Sequence, residues 1–220
     1  MSAVWTADDW RRILLAIAEA IEEKQHELSD LDRVIGDGDH GVSMAIGWKA
    51  VRGWLAANAE ESDVGVIWQQ AAQTFLNAVG ASVGPLYGMA FMRGGAELKG
   101  CVETDERQLL QFWVTATAAI RQIGKAEPGD KTMVDTWQPI ADALAQSLEE
   151  QTPWREALAR AEEAGQQGME ATKEMVSLKG RSGRLGERSV GYIDPGAASA
   201  QLIFTTFVRS ATDVQGGAEA

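Results

Sequence analysis

The sequence predicts an all-α protein, a barrel of eight antiparallel up-and-down helices, on three observations. Apolar residues recur at the i, i+3, i+4 spacing of a helix face through most of the chain. No run alternates apolar and polar residues as a half-buried strand does. Thirteen of the 23 glycines fall in four stretches, 35–43, 80–88, 124–135 and 180–196, which leaves the segments between them free to be helical.

The first predicted helix carries Ile13, Leu14, Ile17 and Ile21, with Thr6 as N-cap three residues before Asp9. Met44, Trp48, Val51 and Leu55 mark the second. The third runs from about 63 to 78 and the fourth from about 86 to 99. The fifth begins after Thr104 and carries Leu109, Phe112 and Ala116. The sixth spans about 131 to 150, capped by Asp130 and kinked at Pro139. Thr152-Pro153 opens the seventh and Asp194-Pro195 the eighth, each a cap followed by proline at the first helical position. Leu202, Ile203, Thr206 and Phe207 continue the eighth.

Each glycine-bearing stretch separates an odd-numbered helix from the next even one. Short connections favour antiparallel neighbours, so all four stretches share one end of the bundle. The opposite connections, near Glu60, Gly100 and Gln151, hold no comparable motif. One composite site at one mouth is expected.

Composition narrows the function classes. The 220 residues suit one domain spanning 1–220, with its motifs within about 6–212. A net charge of −12 argues against wholesale binding to nucleic acid or an anionic membrane. Cys101 is the single cysteine, which excludes an internal disulfide and suits a reducing compartment. No segment reaches the ~18 to 20 apolar residues of a membrane span, and the acidic start is no signal peptide. A cytoplasmic protein is expected.

In the first stretch, Gly36-Asp37-Gly38-Asp39-His40-Gly41 satisfies G-x-G-x-x-G, but a helix rather than a strand precedes it, so a dinucleotide fold is excluded. An EF-hand lacks its later ligands. Asp32, Asp37 and Asp39 repel one another unless protonated or neutralised. Oxygen ligands with open positions suit Mg2+ shared with phosphate oxygens. The alternative is that Asp39 only caps the second helix while the others sit in solvent. His40 either faces phosphates or packs; His26 is a surface residue.

The second stretch, around Ser82 and Val83, puts small residues before a helix, as an anion site or as an ordinary turn. In the third, Gly124 and Met133 either meet an apolar ring or fill the core. The fourth is long for a loop and sets Lys179, Arg181, Arg184 and Arg188 against Glu187, a basic island suited to phosphate. Together these stretches equip a site for a metal-bridged nucleoside polyphosphate. No Walker A sequence or kinase signature competes.

The stretches "LDRVIGDGDHG", "GPLYG", "GKAEPGDKTM" and "GRSGRLGERSVGYIDPG", in this order, resemble the motifs of the nucleotide-binding L subunit of dihydroxyacetone kinases. The resemblance implies an eight-helix barrel with ADP or ATP at one end. It implies two Mg2+ ions held by Asp32, Asp37 and Asp39. It puts nucleotide contacts on His40, Gly41, Val42, Ser43, Ser82, Gly124, Met133, Arg181, Asp194, Pro195 and Gly196, with Arg181 also offsetting charge during transfer. One departure stands out: the family has serine directly before Gly-Pro, whereas here Val83 intervenes. Either Ser82 still reaches the phosphate or Val83 takes its slot.

In that family a separate K subunit binds the hydroxyketone through a histidine, and the L subunit supplies the phosphoryl group. Some members exchange ADP for ATP; others keep ADP bound and recharge it from a phosphocarrier of the phosphotransferase system. A tetrulose kinase and a non-catalytic, nucleotide-dependent adaptor are the other readings.

Overall fold

In the computed structural model, which describes residues 3–216, helices form a closed ring. The chain runs α1 (Ala7–Glu23), α2 (Gln25–Ile35), α3 (His40–Ala57), α4 (Val64–Ala78), α5 (Val83–Ala96), α6 (Glu106–Gly124), α7 (Val134–Glu150), α8 (Trp154–Ala171) and α9 (Pro195–Gly216). From α3 onward each helix packs on the next, and α9 closes on α1, which also packs on α3. The ring has the eight positions expected, with α1 and α2 together filling the first. The break falls at Lys24 (φ −91°, ψ 5°), inside the polar run from Glu22 to Glu27. Ile21, Leu28 and Ile35 stay in phase across it, so apolar periodicity does not register the break.

A two-stranded antiparallel sheet was not expected: β1 (Val4–Thr6) pairs with β2 (Glu103–Asp105). Each strand has three residues with one buried, too few to alternate visibly. Both end at helix caps. Thr6 and Asp9 form the expected capping box, and Asp105 with Gln108 forms a second. The sheet lies at the closed end, where Trp10 Nε1 donates to Thr104 Oγ1 at 2.8 Å and Trp5 Nε1 donates to Ala211 O at 3.0 Å.

The barrel interior is filled with rings. Trp68 is fully buried and meets Phe112, Phe91, Trp10 and Trp113 with centroids 4.2, 5.1, 5.6 and 6.2 Å away. Stacked Trp113 and Trp137, 5.1 Å apart, carry this layer towards α7. Among the described residues no helix is long and apolar enough to cross a membrane.

Two predicted caps are corrected. Asp130 does not cap α7, which starts at Val134. Its carboxylate accepts from Glu127 N instead, and Thr132 Oγ1 takes the Val134 N–H at 3.1 Å. Thr152 makes no cap hydrogen bond; α8 begins after Pro153, whose carbonyl accepts from Ala157 N. Asp194 does cap its helix: Oδ2 accepts from Ala197 N at 2.8 Å, with Pro195 at the first position.

Candidate functional site

All four glycine-rich connections converge on one open cavity of about 850 Å3 at the end of the barrel away from the sheet. Its wall takes Asp32, Asp37, Asp39 and His40 from the α2–α3 corner and Ser82 and Val83 from the start of α5. Gly124 and Met133 come from the α6–α7 connection, Arg181 and Arg184 from the long loop, and Asp194, Pro195 and Gly196 from the start of α9. Ile35, Leu86, Ile120 and Ile123 add apolar surface beside the charged corner.

Asp32, on the last turn of α2, is buried, and its Oδ2 accepts the His40 N–H at 3.1 Å. This carboxylate, and not Asp39, caps α3; Asp39 occupies the N-cap position without a side-chain cap bond. Glycine is required between them. A Cβ on Gly36 would lie 2.0 Å from Asp32 Oδ1, and Gly38 has φ +80°. One carboxylate oxygen from each of Asp32, Asp37 and Asp39 lies within 4.8 Å of the others. Opposite oxygens on one Mg2+ are about 4.2 Å apart, so the three carboxylates stand slightly wider than one such ion and would close in on it or share two.

Arg181 reaches across from the long loop. Its guanidinium pairs with Asp37 and, at 3.3 Å, with Asp39. The acids thus face a cation of the chain itself, the arrangement that their mutual repulsion demands.

Gly41, Val42 and Ser43 lie on the first turn of α3, outside the cavity lining. Gly41 packs on α2, where a Cβ would fall 2.0 Å from Gln25 O. The N–H groups of Gly41 and Val42 have no hydrogen-bond partner among the described residues, whereas Ser43 N–H donates to Asp39 O. Free N–H groups at a helix start favour an anion. Of the two candidates at the second stretch, Val83 is 5% exposed and joins the core, while Ser82 is exposed at the rim. His26 is exposed, as expected.

Sequence reasoning missed a buried polar layer behind the cavity. Ser199, fully buried on α9, lies 2.9 Å from His40 Nε2 and donates to Gly196 O at 3.0 Å. Burial pushes the His40 imidazole down to about 4, against the opposing pull of Asp32, so the ring is neutral at pH 7. Asp135 ties the α6–α7 connection by accepting from Gly129 N at 2.5 Å and Thr132 N at 2.7 Å. The available signal was a serine on the apolar face of α9, one turn after the Asp-Pro start.

Asp194 is buried at the cavity floor, and burial pushes its carboxyl up to about 7; Asp135 adds to the rise, while N–H donation from Ala197 and the Lys131 charge oppose it. Between the ordinary carboxylate range and pH 7 the folded state therefore holds one more proton here than the unfolded chain. This contribution to stability is full in acid and is lost as pH rises through about 7, at about 1 kcal/mol per pH unit inside the window. Urea unfolding of the wild type and Asp194→Asn at about pH 5 and about pH 7 reads this directly. The wild type should lose roughly 2 kcal/mol relative to the variant over that interval. A pH-independent difference would mean that Asp194 stays ionised.

A family model described as the DAK2 domain matches residues 34–209. The chain belongs to the DAK2 domain family. Family relatives include the ADP-binding subunit DhaL of the PEP-dependent dihydroxyacetone kinase of Escherichia coli (strain K12). It is 37% identical over 186 residues, 84% of this chain and 88% of that one. A Listeria innocua subunit of the same description is 35% identical over 92% of this chain and 96% of its own length. An L-erythrulose 1-kinase of Mycolicibacterium smegmatis is 32% identical, but the match covers only 34% of that longer protein. The crystal structure of the dihydroxyacetone kinase from C. freundii, in complex with AMP-PNP and Mg2+, matches at a TM-score of 0.69 and 24% identity. It covers 91% of this chain, which spans about a third of that one, and supports the fold alone.

Proposed function

We propose that this chain is the ADP-binding, phosphoryl-donating subunit of a dihydroxyacetone-type kinase, acting with a separate K-type subunit that holds the hydroxyketone. One observation carries the reading: four loops of a DAK2-family barrel deliver clustered carboxylates, helix-start N–H groups, an apolar wall and a basic arm to one cavity. Asp32, Asp37 and Asp39 would hold Mg2+ against the phosphates. His40 and Ser82 would line the phosphate side, the first turn of α3 at Gly41, Val42 and Ser43 would stand behind it, and Gly124 and Met133 would flank the base. Asp194, Pro195 and Gly196 would close the floor. Arg181 would leave the acids once a cation fills them and offset charge on the transferred group.

Positioning and charge neutralisation are what this transfer needs, and both are available here. Capture of a ketone carbonyl is not, so the chain alone should phosphorylate nothing. The subunits named PEP- or PTS-dependent, at 33–37% identity, favour bound ADP recharged by a phosphocarrier. The erythrulose kinases favour a four-carbon ketose and exchangeable ATP, and match only as part of longer chains.

Thermal unfolding with Mg-ADP tests the nucleotide reading: at 100 times its dissociation constant the ligand should add about 2.7 kcal/mol. Mixing with a K-type subunit, a ketose panel and either ATP or a phosphocarrier system tests the rest. Sugar phosphate formed only in the mixture is expected. Nucleotide binding without any sugar phosphate would favour an adaptor.

A further inference from the structure

The segment 172–192 leaves the barrel wall at the end of α8 and returns just before Asp194, carrying Arg181 and Arg184 at its tip. Beyond Lys179 the tip touches the rest of the molecule by few polar contacts. The Arg181 pairs with Asp37 and Asp39 are ion pairs, and the other hydrogen bonds of residues 181–189 stay within the segment. Arg184 lines the cavity, and its guanidinium makes no hydrogen bond or ion pair among the described residues. What aims this arm must therefore act on its stems.

One side chain touches both. Lys131 is 1% exposed, and its Nζ donates to Thr172 O at 2.5 Å and to Tyr192 O at 2.6 Å. Those carbonyls lie at the two ends of the segment. The same connection also accepts the Leu178 N–H on Asp130 O at 3.1 Å and pairs Asp130 with Lys179 at 3.6 Å. Lys131 has φ +60°, a left-handed backbone that is strained for a lysine, and its ammonium is taken out of water. Burial pulls the Lys131 ammonium below the usual lysine range, and the nearby carboxylates of Asp194, Asp135 and Glu174 oppose that fall. Neither strain nor burial is needed for a turn between two helices.

We infer that Lys131 is a positioning residue, a clasp that joins the two stems of the arm and so holds Arg181 and Arg184 over the cavity. This rests on the nucleotide reading for its consequence, but the clasp itself is read independently of it. Lys131 also borders the cavity, so the rival is a direct contact between its ammonium and the ligand.

A double-mutant cycle separates the two. Lys131→Met should weaken Mg-ADP binding about tenfold, the scale of a modest misplacement of a binding group. It should also speed tryptic cleavage within 179–188 several-fold, at unchanged helical circular dichroism. In an Arg181→Ala/Arg184→Ala background the same substitution should change affinity less than about twofold, because both residues it positions are gone. Equal losses in both backgrounds, or an arm cut no faster than in the wild type, overturn the clasp. Should Lys131→Met not fold, Lys131→Gln, which keeps a donor for one carbonyl, takes its place in the cycle. If the wild type itself ignores Mg-ADP, the nucleotide reading fails and the cleavage rates alone decide the clasp.

Discussion

Asp37→Asn is expected to abolish Mg-dependent ADP binding while leaving the barrel folded. Asp37 is exposed on the loop between α2 and α3 and makes no hydrogen bond that organises that loop; its contact is the ion pair with Arg181. The structural work there falls to buried Asp32 and the glycines beside it. Removing Asp37 therefore deletes a ligand without deleting a cap. Supporting groups around a metal already cost 10- to 100-fold when lost, so a ligand itself should cost about 100-fold or more in Mg-ADP affinity. Stability should stay within about 1 kcal/mol, since a half-exposed ion pair is worth little and the loss of one acid relieves the other two. Asp30→Asn, which removes an exposed acid paired with Arg33 and outside the cavity lining, is the matched control. Calorimetry showing undiminished Mg-ADP affinity in Asp37→Asn would remove the metal assignment, and with it the phosphate placement built on it.

How far these features could be read in advance depended on whether they repeat. Helix faces repeat every few residues, so Ile13, Leu14, Ile17 and Ile21, or Met44, Trp48, Val51 and Leu55, announce themselves, and all are buried. The mouth was legible for a different reason. Glycine collects where backbones approach closely, and parity of the helix count places all such loops at one end. The break at Lys24 was invisible because the apolar phase survives it. The sheet was invisible because three-residue strands have no period. The buried polar layer escaped because the partners of Lys131 and Thr172 are carbonyls and an N–H group 22 to 61 residues away, which leave no mark on a sequence, and Ser199 meets the His40 ring 159 residues off. Motif resemblance supplies residue names for the rim, and says nothing of what holds the rim in place.

The largest effect on stability should come from the opposite side of the same design. Trp68→Ala should cost about 3–5 kcal/mol, the range for truncating a fully buried tryptophan. Trp68 borders Trp10, Phe91, Phe112 and Trp113, which come from α1, α5 and α6, so its ring ties α4 to its neighbour α5 and, across the interior, to α6 and α1. Those neighbours are themselves large and mutually packed, and cannot collapse into the void without leaving their own contacts. A loss of that size is roughly a third of a typical domain's stability. Trp68 lines no part of the cavity, however, and the mouth loops are tied by their own hydrogen bonds to Asp32, Asp135 and Lys131. Saturating Mg-ADP should thus raise the melting point of Trp68→Ala by the same free energy as in the wild type, about 2.7 kcal/mol at 100 times the dissociation constant. A much smaller gain in the variant would mean that the barrel's rings reach the nucleotide through the mouth, and that packing and binding in this protein are one property rather than two.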